Sequence, residues 1–317
     1  MNQLLQALIF FSGTLFGFGA LAQTNLSIGT GGTGGVYYPL GGGMASILSK
    51  NVPGWQVTAE VTGASVDNMK LINTGKIDAG MTLADTAWDA YNGADKFKDA
   101  KVPVRTLMVM YPARMQVVTV DGTGINAMAD LKGKRVSVGS PGSGTEIMAL
   151  RILEVYGLAN DIQRERLSVA ESVNAMKDRK IDAFFWAGGV PTAAVTDLAA
   201  TPNTKIKLID HVEAVEALNK KYGPLYVKDQ VPAKTYAGMD KPVQIISVWN
   251  LLAANEKMSE QTAYTFVKTL FERKADMVAM HKEAENIALE YQNNSASPIP
   301  YHPGAIKYFA EKGIKLK

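Results

Sequence analysis

Two stretches of this chain repeat each other, twice and in the same order. Ile28 to Gly34 reads IGTGGTG, and Val138 to Gly144 reads VGSPGSG. Both fit the pattern [IV]-G-[TS]-x-G-[ST]-G. Downstream, SVDNMKLINTGKIDAG (Ser65 to Gly80) is echoed by SVNAMKDRKIDAF (Ser172 to Phe184). Gly29 precedes Asp78 by 49 positions, and Gly139 precedes Asp182 by 43. Two matches in one order at similar spacing imply two units built on one plan. The 317 residues are enough for two such units, each with its own core.

Short β-rich runs alternate with helical patterns after Gln23. Leu26–Ile28, Gln56–Val61, Ala79–Leu83, Leu107–Met110, Arg135–Val138, Leu167–Val169, Ala183–Trp186 and Ile206–Ile209 read as strands. Tyr38–Leu48 and Glu146–Tyr156 read as helices. Strands alternating with helices predict α/β lobes with largely parallel sheets.

Each Gly loop lies between a strand and a helix, and that placement has a physical use. The first N–H groups of a helix lack intrahelical partners and point outward at the positive end of its dipole. Glycine lets a ligand approach that backbone closely, and Ser or Thr hydroxyls add donors. The pattern predicts an anion site at Thr30, Gly32, Thr33, Gly34 and Gly35 in the first loop, and at Ser140, Ser143, Gly144 and Thr145 in the second. A single loop of this kind could equally be a flexible turn with a helix N-cap. Duplication at equivalent places favours one cleft faced by both loops. In open α/β sheets ligands bind beyond the C-terminal strand ends. No G-x-x-x-x-G-K-[ST] is present, and the literal GTGGTG has no acidic partner after a second strand.

Side chains beside the loops complete the candidate cleft. Tyr37 and Trp186 are placed to pack on the aliphatic part of a ligand, with Tyr38 a weaker candidate. Gly188 follows the second KIDA strand, with Pro191 and Thr192 opening the next helix, and Asp85 follows the first KIDA strand. Glu146 opens a helix, where capping and acceptance from a ligand amine are both open readings. Arg114 near the expected crossing could pair with a ligand carboxylate or with a lobe surface. Asp78 and Asp182 are read as structural residues of a helix-to-strand turn, not as an acid/base dyad.

Several function classes are excluded. The chain has no cysteine, so disulfides, thiolate metal sites and a lipidated cysteine are ruled out. His211, His281 and His302 lie far apart without metal-ligand spacing, so no metal and no cofactor is expected. A net charge of +3 from scattered residues does not point to nucleic acid. No nucleophile is seen with a partnered base, which argues against an enzyme on a small anionic substrate. Leu4 to Leu21 is apolar and ends in Ala20-Leu21-Ala22, so residues 1–22 are expected to be a cleaved secretory signal peptide, leaving a periplasmic protein.

On these residues the chain resembles the TAXI-type solute receptors of TRAP transporters. GTGGTGGVYYPLGG (Gly29 to Gly42), NTGKIDAGMTLAD (Asn73 to Asp85), VGSPGSGTE (Val138 to Glu146) and KIDAFFWAGGVPT (Lys180 to Thr192) carry the likeness. The resemblance implies a type II periplasmic binding-protein fold, two α/β lobes around a ligand cleft with a hinge. It implies a monomer that closes around a small carboxylate, such as an acidic amino acid or dicarboxylate, and docks on TRAP membrane subunits. A sensory receptor docking on a signalling partner would share these features. The family pattern carries ligand contacts onto Thr30, Thr33, Tyr37, Ser143, Gly144, Thr145, Trp186 and Gly188. One lobe is expected to hold 23–113 and 245–317, the other 114–244. Val243–Leu252 would be the return crossing, and helices over Glu260–His281 and Lys282–Tyr291 would pack back on the first lobe.

Overall fold

The computed structural model describes residues 23–293 and 295–316. The expected leader over 1–22 lies outside the described residues. The first half runs β1 (Thr24–Gly29), α1 (Tyr37–Asn51), β2 (Trp55–Glu60), α2 (Ser65–Asn73), β3 (Ala79–Leu83) and α3 (Ala84–Asn92). A long strand, β4 (Val104–Val120), leads into β5 (Arg135–Ser137), α4 (Gly144–Val155), β6 (Gln163–Glu165), α5 (Val169–Lys177), β7 (Ala183–Gly188) and α6 (Ala193–Ala199). Then follow β8 (Ile206–Leu208), α7 (Val215–Tyr222), β9 (Val227–Val231), the second long strand β10 (Val243–Asn255), α8 (Glu260–Glu272), α9 (Lys274–Met280) and α10 (Pro303–Glu311).

The strands lie in the order β2-β1-β3-β10-β4-β7-β5-β6, with β8 on β4 and β9 on β10. β1 pairs in parallel with β2 and β3, and β5 with β6 and β7. Every pairing of β4 and β10 with another strand is antiparallel; Thr106 of β4 also makes an isolated parallel bridge to Tyr301. The expected largely parallel sheets are therefore mixed, because two long strands run through the middle. β10 pairs β3 over Asn250–Ala254 and β9 over Val243–Ser247; β4 pairs β7 over Arg114–Thr119. Both strands thus serve one end of the sheet with one half and the other end with the other half.

The strand expected at Leu107–Met110 continues through Pro112 to Val120. Proline has no N–H to give a ladder and sits in sheets mainly at edges or bulges. Here Pro112 faces Trp249, and the register slips between Trp249 and Leu251. Asn250 lies at that slip, where its Nδ2 donates to the Tyr111 carbonyl at 2.9 Å. The side chain supplies a bond that the irregular ladder lacks.

Leu167–Val169 is not a strand. Ser168 and Glu171 form a capping box, each side chain meeting the other's backbone N–H, so Val169 is the first residue of α5. The strand is β6, whose three residues QRE are all exposed and carry no hydrophobic signal. The helix expected over Glu260–His281 breaks at Arg273 into α8 and α9. Lys282–Tyr291 forms two short 3-10 turns, Lys282–Asn286 and Leu289–Tyr291. α10 was not anticipated, although Pro303 at its first turn and the His302 ring accepting the Gly304 N–H are ordinary helix-start features.

Hydrophobic burial follows the duplicated plan. One cluster joins Ile28, Leu40, Met44 and Met69 to Leu251, Phe266 and Phe309. A second joins Met115, Val136, Met148 and Ile152 to Phe185 and Ile246. A third, around Val173, Phe184, Val195 and Ile245, covers the opposite face of the same strands. β4 and β10 contribute to the first two clusters, so their midpoints lie where the cores meet.

The two KIDA echoes do the same job. Asp78 Oδ2 accepts from the Ser27 N–H at 2.8 Å, while the Asp78 N–H donates to the Ser27 carbonyl at 3.2 Å. Asp182 Oδ2 accepts from the Arg135 N–H at 2.8 Å, and the Asp182 N–H donates to the Arg135 carbonyl at 2.8 Å. Each aspartate ties the start of its KIDA strand to the neighbouring strand that feeds the Gly loop. The Arg135 guanidinium adds bonds at 2.7 and 3.1 Å and holds the Asp182 carboxyl below the usual carboxylate range.

Candidate ligand cleft

The two Gly loops face each other across a cavity of about 220 Å³. One wall is the first loop, from Gly31 to Tyr37, with Val61, Ala64, Ser65 and Leu83. The opposite wall is Gly139, Ser140 and Ser143–Thr145, with Ser168–Ala170 and Trp186–Gly188. Tyr111, from the midpoint of β4, also lines it. No Asp, Glu, Lys, Arg or His is among the lining residues.

The loops touch each other's half. The Gly142 carbonyl accepts from the N–H groups of Val66 and Asp67, at 3.1 and 3.3 Å, capping α2. The Gly34 carbonyl accepts from the Ala194 N–H of α6 at 3.4 Å. Glycine is needed at these seams. A Cβ on Gly144 would lie 2.6 Å from Ser65 Oγ, and one on Gly35 would lie 2.8 Å from the Trp186 ring.

The second loop shows which groups are committed. Ser143 donates to the Ser140 carbonyl at 2.7 Å and accepts from the Glu146 N–H at 3.1 Å, so its hydroxyl is occupied as the N-cap of α4. Thr145 Oγ1 accepts from the Ala187 N–H at 3.2 Å, which leaves its own hydrogen to give. The first two N–H groups of α4, at Gly144 and Thr145, find no acceptor among the described residues. These are donors without a protein partner at the positive end of a helix.

The aromatic side chains are held from behind. Tyr37 donates to Asn250 Oδ1 at 2.6 Å. Trp186 Nε1 donates to Thr192 Oγ1 at 2.8 Å, and Thr192 donates to the Gly189 carbonyl at 2.7 Å. Their polar atoms are spent on fixing the rings, so what they offer the cavity is a flat apolar face. Burial pushes the Tyr37 phenol well above its ordinary pKa of 10.0, so it stays protonated.

Of the expected contacts, Gly32, Thr33, Tyr37, Ser143, Gly144, Thr145, Trp186 and Gly188 line the cavity. Thr30 and Asp85 do not. Thr30 is fully buried, and its hydroxyl donates to the Glu60 carbonyl at 2.7 Å, locking the first loop onto β2. Asp85 is fully buried in the first turn of α3. It accepts from the Thr86 N–H at 2.7 Å and from the Tyr226 hydroxyl at 3.1 Å, and lies 3.8 Å from Arg151. Tyr38 also lies outside the lining.

The remaining candidates have partners elsewhere. Glu146 pairs with Arg166 at 2.6 Å and accepts from the Gly142 N–H at 3.3 Å, which is the capping alternative. Arg114 bridges Glu283 at 3.0 Å and Asp229 at 3.1 Å, which is the pairing with the protein itself. Ser65, Leu83 and Tyr111 were missed. Ser65 opens the first echo and Leu83 ends the KIDA strand, so the repeat itself carried a signal for both. Tyr111 stands after a strand that the sequence reading ended too early.

The family pattern described as NMT1-like matches residues 28–313. Among solved structures, a protein of Bordetella bronchiseptica RB50 is similar at 16% identity, over 92% of this chain and 83% of that one, with a TM-score of 0.53. A candidate L-cystine ABC transporter from Listeria monocytogenes is similar at 16% identity, over 86% and 98%, with a TM-score of 0.50. The alkanesulfonate-binding protein SsuA from Xanthomonas axonopodis pv. citri, bound to MOPS, shares 17% identity over 91% and 84%, at 0.48. The architecture is the mixed α/β fold of type II periplasmic binding proteins. With a match running from β1 past the end of α10, the chain belongs to the NMT1-like family.

Proposed function

We propose that this protein is a solute-binding receptor of the TAXI type, which captures a small organic carboxylate and delivers it to the membrane subunits of a TRAP transporter. One observation carries this reading: the paired Gly loops enclose a cavity with unpartnered helix N–H groups and no charged side chain. Such a site holds an anion through backbone and hydroxyl donors. The lobes take 23–113 with 245–317, and 114–244. Their crossings fall inside β4 and β10, which act as the hinge. Solute binds one loop, and the other closes over it because the closed arrangement makes more contacts with the ligand. The receptor acts in the periplasm, on the strength of the expected leader. Among the described residues, no helix is long and apolar enough to cross a membrane.

The test is a thermal-shift panel of organic acids and amino acids on protein refolded free of bound solute. A ligand at a hundredfold excess over its Kd stabilises the folded state by about 2.7 kcal/mol. One solute class is expected to raise the melting temperature by several degrees. No shift across the panel would remove the receptor reading.

A further inference from the structure

We infer that the solute is a monoanionic organic acid without an amino group, and that Tyr111 donates a hydrogen bond to it. The inference rests on the receptor reading above and deepens it.

The surroundings of the cavity limit the charge it can hold. A single carboxylate finds the N–H groups of Gly144 and Thr145 and the free hydroxyl hydrogen of Thr145. A second carboxylate would add a like charge in the same small space, and no lining side chain carries a cation to offset the repulsion between the two. An ammonium group would need a carboxylate partner, and none lines the cavity; two that lie behind Tyr37 and Tyr111 are already paired. Asp85 is tied to Thr86, Tyr226 and Arg151. Glu283 accepts from the Val190 N–H at 2.7 Å, from Arg114 at 3.0 Å and from Asn286 Nδ2 at 2.7 Å. Neither lines the cavity. The rest of the lining, with Val36, Val61, Leu83, Val169 and Trp186, suits an apolar body.

Tyr111 supplies an independent observation. Its hydroxyl is fully buried and has no hydrogen-bond partner among the described residues, although the residue lines the cavity. An unpaired buried hydroxyl is costly, so such groups call for an explanation. Burial, with Tyr37 and Glu283 close by, holds the phenol far above its ordinary pKa. It therefore offers a hydrogen, and the acceptor it lacks in the protein is an oxygen of the solute.

Three compounds on one five-carbon skeleton test the charge class: 2-oxopentanoate, L-norvaline and 2-oxoglutarate. Calorimetric titration of the ligand-free protein is expected to show 2-oxopentanoate binding at least about tenfold more tightly than the other two. Equal or tighter binding of 2-oxoglutarate or norvaline would overturn the charge assignment and leave the receptor reading standing. Binding by none of the three would also overturn it, and the broader panel then decides whether the receptor reading falls too. For Tyr111, Tyr111→Phe should weaken 2-oxopentanoate about tenfold. The melting temperature of the ligand-free variant should be unchanged or higher, because the phenol has no protein partner to lose. Unchanged affinity would remove Tyr111 from the site.

Discussion

Gly142 and Val66 come from opposite halves of the molecule, and the carbonyl of the first accepts the N–H of the second at 3.1 Å. The same carbonyl takes the Asp67 N–H, so one glycine of the second loop caps a helix beside the first. Gly142 has φ +78, and a Cβ there would lie 2.5 Å from Asp67 Oδ1. That contact joins the second loop to the helix beside the first.

Gly142→Ala is therefore expected to weaken solute binding about tenfold, with a smaller loss of stability from the left-handed backbone. Asp67→Ala in the same chain removes the clashing carboxylate and should restore part of the affinity. Calorimetric titration of both variants checks this. Equal weakening in the double variant would show that the effect is backbone strain rather than contact across the cleft.

The matched aspartates allow a second test. Asp78→Ala and Asp182→Ala each remove the acceptor of a strand N–H, and each should lower stability by about 1–3 kcal/mol with solute affinity retained. Asp182 also loses its Arg135 contacts, but these are partly exposed and add little. Urea midpoints for the two variants should fall by similar amounts. A large affinity loss in either one would mean the residue acts on the cleft and not on the sheet.

The duplicated motifs made the loops legible because each is a local strand–loop–helix signal, and its recurrence placed both loops at one cleft. The local signal does not determine where Thr30, Asp85 and Tyr111 lie: the first two stand off the cavity lining and the third stands in it. Thr30 sits inside its motif, yet its side chain turns to the Glu60 carbonyl on β2. Asp85 follows its strand as expected but is drawn to Arg151 and Tyr226, distant in sequence. Tyr111 follows the residues expected to end a strand. Its place in the cavity depends on β4 running on past Pro112, which the slip opposite Asn250 on β10 accommodates. β6 escaped notice because an exposed edge strand needs no hydrophobic residue.

Arg151 on α4 gathers three carboxylates of the α3 region. Its guanidinium lies 2.6 Å from Asp89, 3.3 Å from Asp95 and 3.8 Å from Asp85, with the Tyr226 hydroxyl at 3.1 Å. Asp85 and Asp89 are buried, and burial pushes both carboxyls up against the pull of the arginine. Removing the cation leaves buried acids without a partner. Arg151→Met should cost about 3–5 kcal/mol, read as a lower urea midpoint with an unchanged slope. A loss below about 1 kcal/mol would show that the acids take up protons and relax without it.

His211 sets a pH dependence. The ring is fully buried, with Nδ1 2.8 Å from the Ile209 carbonyl, and burial lowers its pKa below the ordinary 6.5. The folded state thus binds the proton less readily than the unfolded chain. Stability from the neutral ring is complete above 6.5 and is lost as pH falls through the lower folded value. His281 and His302 are shifted the same way by burial, so the three rings withdraw stability as pH drops from about 7 to 5, against Asp89, whose carboxyl is pushed up to about 7 and gains stability over the same interval. His211→Gln keeps a donor for the Ile209 carbonyl but cannot charge in that range. Relative to the parent chain, its melting temperature should be held higher as pH falls over the same interval, and an identical profile would show that the His211 ring does not contribute there.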